Sequence, residues 1–514
     1  MNRHLVSRRN FAKLVGLGVI GVGAAQLIAA CGSSAAPTAA PAPTKPPAAP
    51  ATTAPSTAAT TAPAAGAATK PAAAATAAPA AASTSAPAAA APATSAKPIT
   101  LNWFTPAEIG LERDFYNGFI KDYQQQHPNV TINSSFEAWN DYFVKLPTVL
   151  ASGSIPDVMH LHCSIAQDYG LRGATKNMFD YMKKDNLSKD VFFPALIQQF
   201  VDYKTGQKLY GVPKDSASYG FYFNKDMFDK AGVPYPKMDW TFDDFRATAQ
   251  KLTIDKNGKK SGEAGFDPNN VAQWGMSAND PLPSGDAYQM TAWGYAGQWY
   301  DENFTKAKFD DPDHVAFVQA IADMTNKDRS IPRQGDALGQ GDPWRNGLVA
   351  MTIGHHSTVF FYNAEKKTFN YDVVPSPAGK NGQWQGAACS AWTLPAKSPQ
   401  PDDGWDFIKF LVGDTQQCKI VSAKRWGSPI KACENNLLPA DNKPANFKAV
   451  LVDPLNGESK IKTVGIPYPP FLSDMKQIWK TEYDPVMLGQ RTAADAAKAA
   501  QPQIQALLDK AAKM

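Results

Sequence analysis

From about position 99, two spacings of hydrophobic residues alternate along the chain. Apolar and polar residues first take turns one by one, which is the pattern of a β-strand. Apolar residues then recur every four positions, which predicts an amphipathic helix. The same pair of patterns repeats before a third strand. The predicted elements are a strand at 99–103, a helix from 111 that ends before Pro128, a strand at 129–136, a helix at 139–151 and a strand at 157–162.

This order of strands and helices predicts a parallel sheet covered by helices. In such sheets ligands bind beyond the carboxyl ends of the strands. The predicted ends carry aromatic and short polar side chains: Trp103, Phe104, Phe136, Trp139, His162 and Ser164. We therefore expect ligand contacts at this edge of the sheet.

Later segments have equally clear local signals. Alternation predicts a strand at 218–224, and a short helix follows from Lys225 to the stop residue Gly232. Thr241 to Asp244 forms a capping box that opens another helix. Residues 255–258 favour a hairpin turn, because the further ligands of a calcium loop are absent from the sequence there.

The first 97 residues differ in composition from the rest, with no Asp or Glu, seven Lys or Arg and one aromatic residue. Residues 1–30 combine a segment resembling the twin-arginine export motif, Ser7 to Lys13, with an apolar run. Ile28 to Cys31 resembles the lipobox of bacterial lipoproteins, which implies cleavage before Cys31 and a diacylglyceryl group on its thiol. An ordinary signal peptide with an incidental cysteine is the alternative.

Residues 31–97 are expected to form a disordered tether. From position 32 they hold 32 Ala, 12 Pro and 17 Ser or Thr, a composition that cannot bury an apolar core. Residues 98–514 hold 44 Lys or Arg against 47 Asp or Glu, so they lack the basic excess of nucleic-acid-binding proteins. Their 417 residues exceed what one hydrophobic core usually supports, which predicts two lobes.

Four cysteines follow Cys31 in the sequence: Cys163, Cys389, Cys418 and Cys433. An exported chain can oxidise its cysteines. Cys418 and Cys433 are 15 residues apart around a predicted helix end and a Gly-Ser-Pro turn, so we expect these two to pair. None of the four has the C-x-x-C spacing of a zinc site.

Six segments in order resemble the family 1 extracellular solute-binding proteins of ABC importers, which include sugar receptors. They extend the resemblance over essentially the whole of residues 98–514. Each segment alone is moderately specific, and their order behind a lipobox carries the resemblance. The segments are Ile155–Val158, Tyr210–Pro213, Tyr222–Val233, Trp240–Thr253, Gly347–Gly354 and Gly404–Leu411.

The resemblance implies an α/β, two-lobed periplasmic-binding-protein-like fold of type II character, with a mainly parallel sheet flanked by helices in each lobe and a hinge around a central cleft. Lobe 1 is expected mainly from residues 98–210 plus a later return, and lobe 2 mainly from 215–430. The implied partners are a carbohydrate ligand and the permease subunits of an ABC transporter. A monomer is expected, held outside the cytoplasm by the lipid on Cys31 and needing no cofactor.

The maltose receptor's contact positions fall on three places in this sequence. One is Leu161–Ser164, where Ser164 replaces an acidic residue. The second lies near Asp215, the available carboxylate, and the third is the pair His355 and His356, where that receptor has a Trp. These departures leave the identity of the sugar open.

A carbohydrate has apolar C–H faces and a rim of hydroxyls, so its receptor needs flat aromatic rings with polar groups at their edges. For any one Trp the alternative is an anchor in the core. The expected ligand contacts are Trp103, Phe104, Trp139, His162, Ser164, Asp215, Tyr219, Trp293, Tyr295, His355, His356, Trp384 and Trp426.

Other functions stay open beside carbohydrate binding. A receptor of the same fold for a polyol phosphate, peptide, metal or metal chelate is one; Arg345 and Arg425 are the basic residues placed near the cleft. His160 and His162 share one face of a strand, but further metal ligands do not accompany them. An exported carbohydrate-active enzyme is the other, and it would need two carboxylates across a sugar site. The S-x-x-K pattern at 428–431 is that of penicillin-interacting enzymes and lacks its companion motifs. No enzymatic activity is expected.

Overall fold

The structure is a computed structural model. The signal segment, Cys31 and the expected tether lie outside the residues that it describes, and so does Arg425. No helix among the described residues is long and apolar enough to cross a membrane. The described residues are 97–107, 110–278, 286–336, 338, 342–356, 358–359, 369–422, 426–438, 443–457, 459–466 and 468–514.

The β-strands of the described residues form two sheets. In chain order the strands are β1 (Ile99–Pro106), β2 (Val130–Glu137), β3 (Val158–His162), β4 (Val212–Pro213), β5 (Ala217–Asn224), β6 (Ile254–Asp255), β7 (Val271–Met276), β8 (Val349–His355), β9 (Tyr371–Val374), β10 (Trp384–Ala388), β11 (Ser390–Thr393) and β12 (Lys462–Gly465).

The first sheet has the strand order β2-β1-β3-β11-β4. β1 runs parallel to β2 and β3, as the strand–helix alternation predicted. β11 comes from much later in the chain and runs antiparallel to β3 and β4. Four of its five strands therefore run in one direction, and the antiparallel β11 is supplied by a return of the chain.

The second sheet is mixed, unlike the mainly parallel sheet that was expected. Its order is β12-β10-β5-β8-β7-β6, with β9 also paired to β5. β10 pairs in parallel with β12, and β7 with β8, whereas β5 is antiparallel to β8, β9 and β10. β5 reaches this sheet from β4 of the first sheet through residues 214–216, and not through a strand–helix–strand crossover within one sheet. Since such a crossover is what makes neighbouring strands parallel, the direction of β5 is not fixed by the rule that ordered the first sheet.

Helices cover both sheets. The α-helices are α1 (Leu111–Gln126), α2 (Trp139–Ala151), α3 (Cys163–Leu171), α4 (Met178–Lys184), α5 (Pro194–Ile197), α6 (Lys225–Ala231), α7 (Phe242–Leu252), α8 (Asp286–Tyr295), α9 (Pro312–Asn326), α10 (Pro401–Val412), α11 (Asp414–Ser422), α12 (Leu472–Met487) and α13 (Ala493–Ala512). Short segments of 3₁₀ or π-helix lie at Lys189–Val191, Gln198–Phe200, Lys431–Leu437, Lys448–Val452 and Asp453–Asn456.

Local sequence signals set several of these boundaries. Thr241 accepts from the backbone of Asp244, whose carboxylate accepts from the backbone of Thr241, so the predicted capping box of α7 is confirmed. Gly232 ends α6 in the left-handed conformation at φ 64°, which favours glycine. The expected turn after Asp255 is also confirmed, since Gly258 N donates to Asp255 O.

Short segments cross between the two sheets side by side. Residues 214–216 lead from β4 to β5, and Cys389 separates β10 from β11. Lys214 N donates to Ser390 O at 2.8 Å, and Ser216 N donates to Gly427 O at 2.9 Å. These hydrogen bonds join segments from distant parts of the chain into one hinge region.

A disulfide bond joins Cys418 of α11 to Cys433, which confirms the expected pair. Cys163 and Cys389 are both buried in the core. Cys163 N donates to Cys389 O at 3.0 Å, so these two thiols lie on neighbouring segments at the end of β3.

Candidate functional site

A cleft of about 980 Å³ lies where the two sheets meet the crossing segments. We define the cleft by three groups of lining residues. One group follows the carboxyl ends of β1 and β3, a second lies on the crossing segments, and a third lies on β5, β8 and α12. The lining residues used below are Glu112, Trp139, Phe143, His162, Ser164, Lys214, Asp215, Tyr219, Asp342, Arg345, Thr352, His355, Cys389, Trp426, Tyr468 and Lys476.

The wall beside the first sheet is aromatic. Trp139, at the start of α2, exposes 42% of its surface. Its ring meets Phe143 edge-on at 5.1 Å and His162 at 5.5 Å between centroids. His162 Nδ1 lies 2.8 Å from Ser164 Oγ and caps α3. This wall therefore offers a flat ring beside polar atoms.

A buried ion pair forms the floor of the cleft. Lys214 Nζ lies 2.9 Å from Asp215 Oδ2, and Ser390 N donates to Asp215 Oδ1 at 2.7 Å. Burial raises the pKa of Asp215, but Lys214 and the Ser390 amide outweigh it, so this pKa is lowered overall. Burial likewise opposes the charge of Lys214, yet Asp215 and Tyr116 raise its pKa overall. Both side chains are therefore charged at neutral pH.

The wall beside the second sheet combines aromatic and basic groups. Tyr219 of β5 and His355 of β8 are cross-strand neighbours whose rings meet edge-on at 5.9 Å. Arg345 Nε lies 3.2 Å from Asp342 Oδ2, and both side chains are about one third exposed. This wall thus offers both hydrogen-bond donors and hydrogen-bond acceptors.

Seven of the predicted contact residues lie together in the cleft. They come from five separate places in the sequence, and the fold brings them to one cavity. The seven are Trp139, His162, Ser164, Asp215, Tyr219, His355 and Trp426.

Trp103 and Phe104 lie in the core of the first lobe instead. Strand alternation directs Trp103 toward α1, where it is 1% exposed and contacts Tyr116 at 5.0 Å and Trp392 at 5.2 Å. Phe104 faces the other side of the sheet and packs against Tyr142 at 4.6 Å. Neither residue lines the cleft, because β1 continues to Pro106 before its carboxyl end.

Trp293, Tyr295 and Trp384 pack within the second lobe. Trp293 is buried and meets Trp384 at 6.0 Å, while Trp384 donates from Nε1 to Asn381 O at 3.1 Å. Tyr295 packs against Phe242 at 4.9 Å. Helix α8 and the start of β10 hold these side chains away from the cleft. The three side chains pack against other parts of the protein in this structure.

His356 lies beneath the cleft and is 1% exposed. Ser218 N donates to its Nδ1 at 3.1 Å. Gly427 passes so close that an added Cβ would lie 2.1 Å from His356 Nε2. Burial lowers the pKa of His356 to about 3, so the ring is neutral and acts as a structural acceptor at the hinge.

Several lining residues were not predicted as ligand contacts. Phe143 had a signal, since it lies one helical turn after Trp139 in the predicted helix. Lys214 adjoins the predicted Asp215. Tyr468 and Lys476 come from the C-terminal part of the chain, where no local pattern marked a return to the cleft. Among the described residues, no group of three or more His, Cys, Asp or Glu could hold a metal ion.

Comparison with known sequences identifies a family and distant relatives. A family model described as bacterial extracellular solute-binding protein matches residues 110–417. A putative binding protein of Brucella abortus is 27% identical over 139 residues, which are 27% of this chain and about a third (32%) of the relative. The glycerol-3-phosphate-binding protein UgpB of Pectobacterium atrosepticum is 25% identical over 62% of this chain and 69% of its own. The arabinooligosaccharide-binding protein of Bacillus subtilis is 23% identical over 63% and 71%.

A solved structure has the same fold. The ABC substrate-binding protein Lmo0181 from Listeria monocytogenes, in complex with cycloalternan, superposes with a TM-score of 0.66 at 22% identity. The match covers 80% of this chain and 100% of that chain. The likeness confirms the expected two-lobed α/β fold.

Proposed function

Since the chain belongs to the family of bacterial extracellular solute-binding proteins, we propose that it captures a mono- or oligosaccharide in the cleft and delivers it to the permease of an ABC importer. The observation that carries the proposal is the exposed ring of Trp139 in a cavity of about 980 Å³. A cavity of this size accommodates a small ligand with most of its surface buried.

The arrangement of side chains around Trp139 supports a carbohydrate. A sugar ring stacks its C–H face on an aromatic ring and directs its hydroxyls to the edges. Trp139 provides such a face, and His162 and Ser164 provide polar atoms beside it. Asp215 on the floor accepts hydrogen bonds from hydroxyls, and Tyr219 and Trp426 offer two further rings. The named relatives that bind arabinooligosaccharide and cycloalternan agree with this class of ligand.

A polyol phosphate is the second candidate ligand. Arg345 and Lys476 line the cleft and offer hydrogen-bond donors that suit a phosphate group. The relative UgpB is named for binding glycerol 3-phosphate. Carbohydrate is favoured because aromatic rings line the cleft beside polar atoms, and because Asp342 partly balances the charge of Arg345.

No catalytic role is proposed. The family and the named relatives are binding proteins, and the ion pairs on the floor and at Arg345 hold two of the cleft carboxylates in place. Incubation with candidate glycans followed by product analysis tests this point, since turnover would contradict it.

A thermal-shift screen of sugars, polyols, polyol phosphates, peptides and metal ions is the test of the function. A ligand that binds only the folded state adds about 2.7 kcal/mol at a hundredfold excess over Kd, which raises Tm measurably. We expect a sugar to raise Tm. A shift with glycerol 3-phosphate alone would replace the carbohydrate with the second candidate, and a shift with zinc alone would contradict both.

A further inference from the structure

We propose that Lys214 is a positioning residue for the cleft: its buried ammonium holds the Trp426 indole in place on the cleft floor. The ammonium lies within an aromatic cage formed by Tyr116, Trp392 and Trp426. This inference rests on the proposed binding function of the cleft, and it assigns Lys214 a role that acts through Trp426 and not through direct recognition of the solute.

The cage surrounds the ammonium from three elements. Lys214 Nζ lies 5.0 Å from the ring centroid of Trp392 on β11 and 5.1 Å from that of Trp426. It also donates to the Tyr116 hydroxyl of α1 at 3.3 Å. Tyr116 in turn stacks on Trp426 with centroids 5.9 Å apart and planes 18° apart. The cation and the Tyr116 ring therefore both connect Trp426 to the core of the first lobe.

The ammonium of Lys214 stays charged inside the cage. Lys214 is 6% exposed, and a cation over an aromatic face is attracted more strongly when both are removed from water. Asp215 at 2.9 Å balances the charge, and Glu112 adds to the negative potential around it. The same environment raises the pKa of Tyr116 to about 12, mainly through burial, so its hydroxyl stays neutral. Lys214 therefore keeps its positive charge near neutral pH.

Trp426 connects the cage to the cleft. It is half-buried and lines the cavity, while Tyr116 and Lys214 contact its ring. An indole held in one orientation offers a preformed surface to a ligand, and a preformed site loses less entropy on binding. Loss of the ammonium removes one of the contacts that join Trp426 to Trp392 and leaves the contact through the Tyr116 ring. The ring then gains freedom, and the affinity for the solute falls.

The test compares two substitutions at Lys214 with a matched lysine elsewhere, all in the full-length chain. Lys214→Met keeps the length of the side chain without its charge, and Lys214→Arg keeps the charge. Lys225→Met is the control, because Lys225 Nζ also lies over a ring, 4.9 Å from the centroid of Tyr235, outside the cleft. Each is combined with Trp426→Phe. The readouts are titration calorimetry with the sugar from the screen, and acrylamide quenching of Trp426 fluorescence, taken as the difference between each protein and its Trp426→Phe form.

We expect Lys214→Met to weaken sugar binding by up to about thirtyfold, the size of a desolvated cation–π contact, and to increase quenching of Trp426. Lys214→Arg should recover most of the affinity, and Lys225→Met should match the parent. In the Trp426→Phe background Lys214→Met should have little further effect, because its role passes through that ring. Additive effects of the two substitutions would overturn the proposal.

Two further outcomes are decided by variants of Asp215 and by the quenching measurement. If Lys214→Met alone does not fold, Lys214→Met with Asp215→Asn removes both buried charges, and its affinity is compared with that of Asp215→Asn. If no solute binds the parent, the proposed function fails while the quenching readout still applies. Unchanged quenching of Trp426 in Lys214→Met would then overturn the positioning role, and increased quenching would support it.

Discussion

At the scale of single residues, we expect the loss of Trp139 to weaken ligand binding more than the loss of any other cleft side chain. Trp139→Ala removes the exposed ring face, and we expect sugar binding to weaken by about 1 to 3 kcal/mol, the scale of stacking on an aromatic ring. Calorimetry measures the change. Val144→Ala is a matched control, since Val144 is exposed on the same helix and does not line the cleft. Equal affinities of Trp139→Ala and the parent would contradict the proposed stacking of the ligand on Trp139.

His356 should make stability depend on pH. Because burial lowers its pKa to about 3, the unfolded chain, with a His pKa of about 6.5, binds the proton more readily. The stabilisation is complete above about pH 6.5 and is lost as the pH falls toward 3, at up to roughly 1.4 kcal/mol per pH unit.

His356→Asn keeps an acceptor for Ser218 N and removes the titration. Urea denaturation between pH 7 and 4 should show a shallower loss of unfolding free energy in this variant than in the parent. Part of the dependence should persist, because burial also lowers the pKa of His160. Identical slopes in the two proteins would show that His356 does not contribute.

At the scale of elements, the capping box of α7 offers a local test. Thr241→Ala removes the side-chain acceptor for Asp244 N, bonded at 3.1 Å, and should lower the unfolding free energy by about 1 kcal/mol. Denaturant unfolding of the full chain measures it. Thr481→Ala is the control, since Thr481 is exposed in the interior of α12, where alanine is the better helix former. A loss as large for Thr481→Ala as for Thr241→Ala would show that the cap is not the cause.

At the scale of the whole molecule, the expected lipid on Cys31 should decide where the protein resides. Cys31→Ala removes the thiol that would carry the diacylglyceryl group, whose two chains provide stable anchoring at about 0.8 kcal/mol per buried CH₂. We expect the variant to leave the membrane fraction of cells, as measured by fractionation and immunoblotting, while its sugar affinity stays at the parent's value. A variant that remains as firmly membrane-bound as the parent would contradict the lipoprotein assignment.

The sequence by itself determined the elements and their order. The alternating and four-residue periods predicted β1, α1, β2, α2 and β3, and the capping box and Gly232 predicted helix ends. These signals are local: a strand or helix buries one face, and caps satisfy backbone groups within one turn. The match over residues 110–417 agrees with the family that the ordered segments indicated.

The tertiary structure alone decided which aromatic side chains face the cleft. Trp103 and Trp139 each adjoin one Asn and one apolar residue in the sequence, yet one lies in the core and the other is exposed. The difference arises because β1 extends past Trp103, whereas Trp139 begins a helix at the open edge of the sheet. The direction of β5 and the arrival of Tyr468 and Lys476 at the cleft likewise depend on connections between distant segments. Local periodicity contains no information on such long-range packing, which is imposed by the burial of apolar residues from distant segments in a shared core.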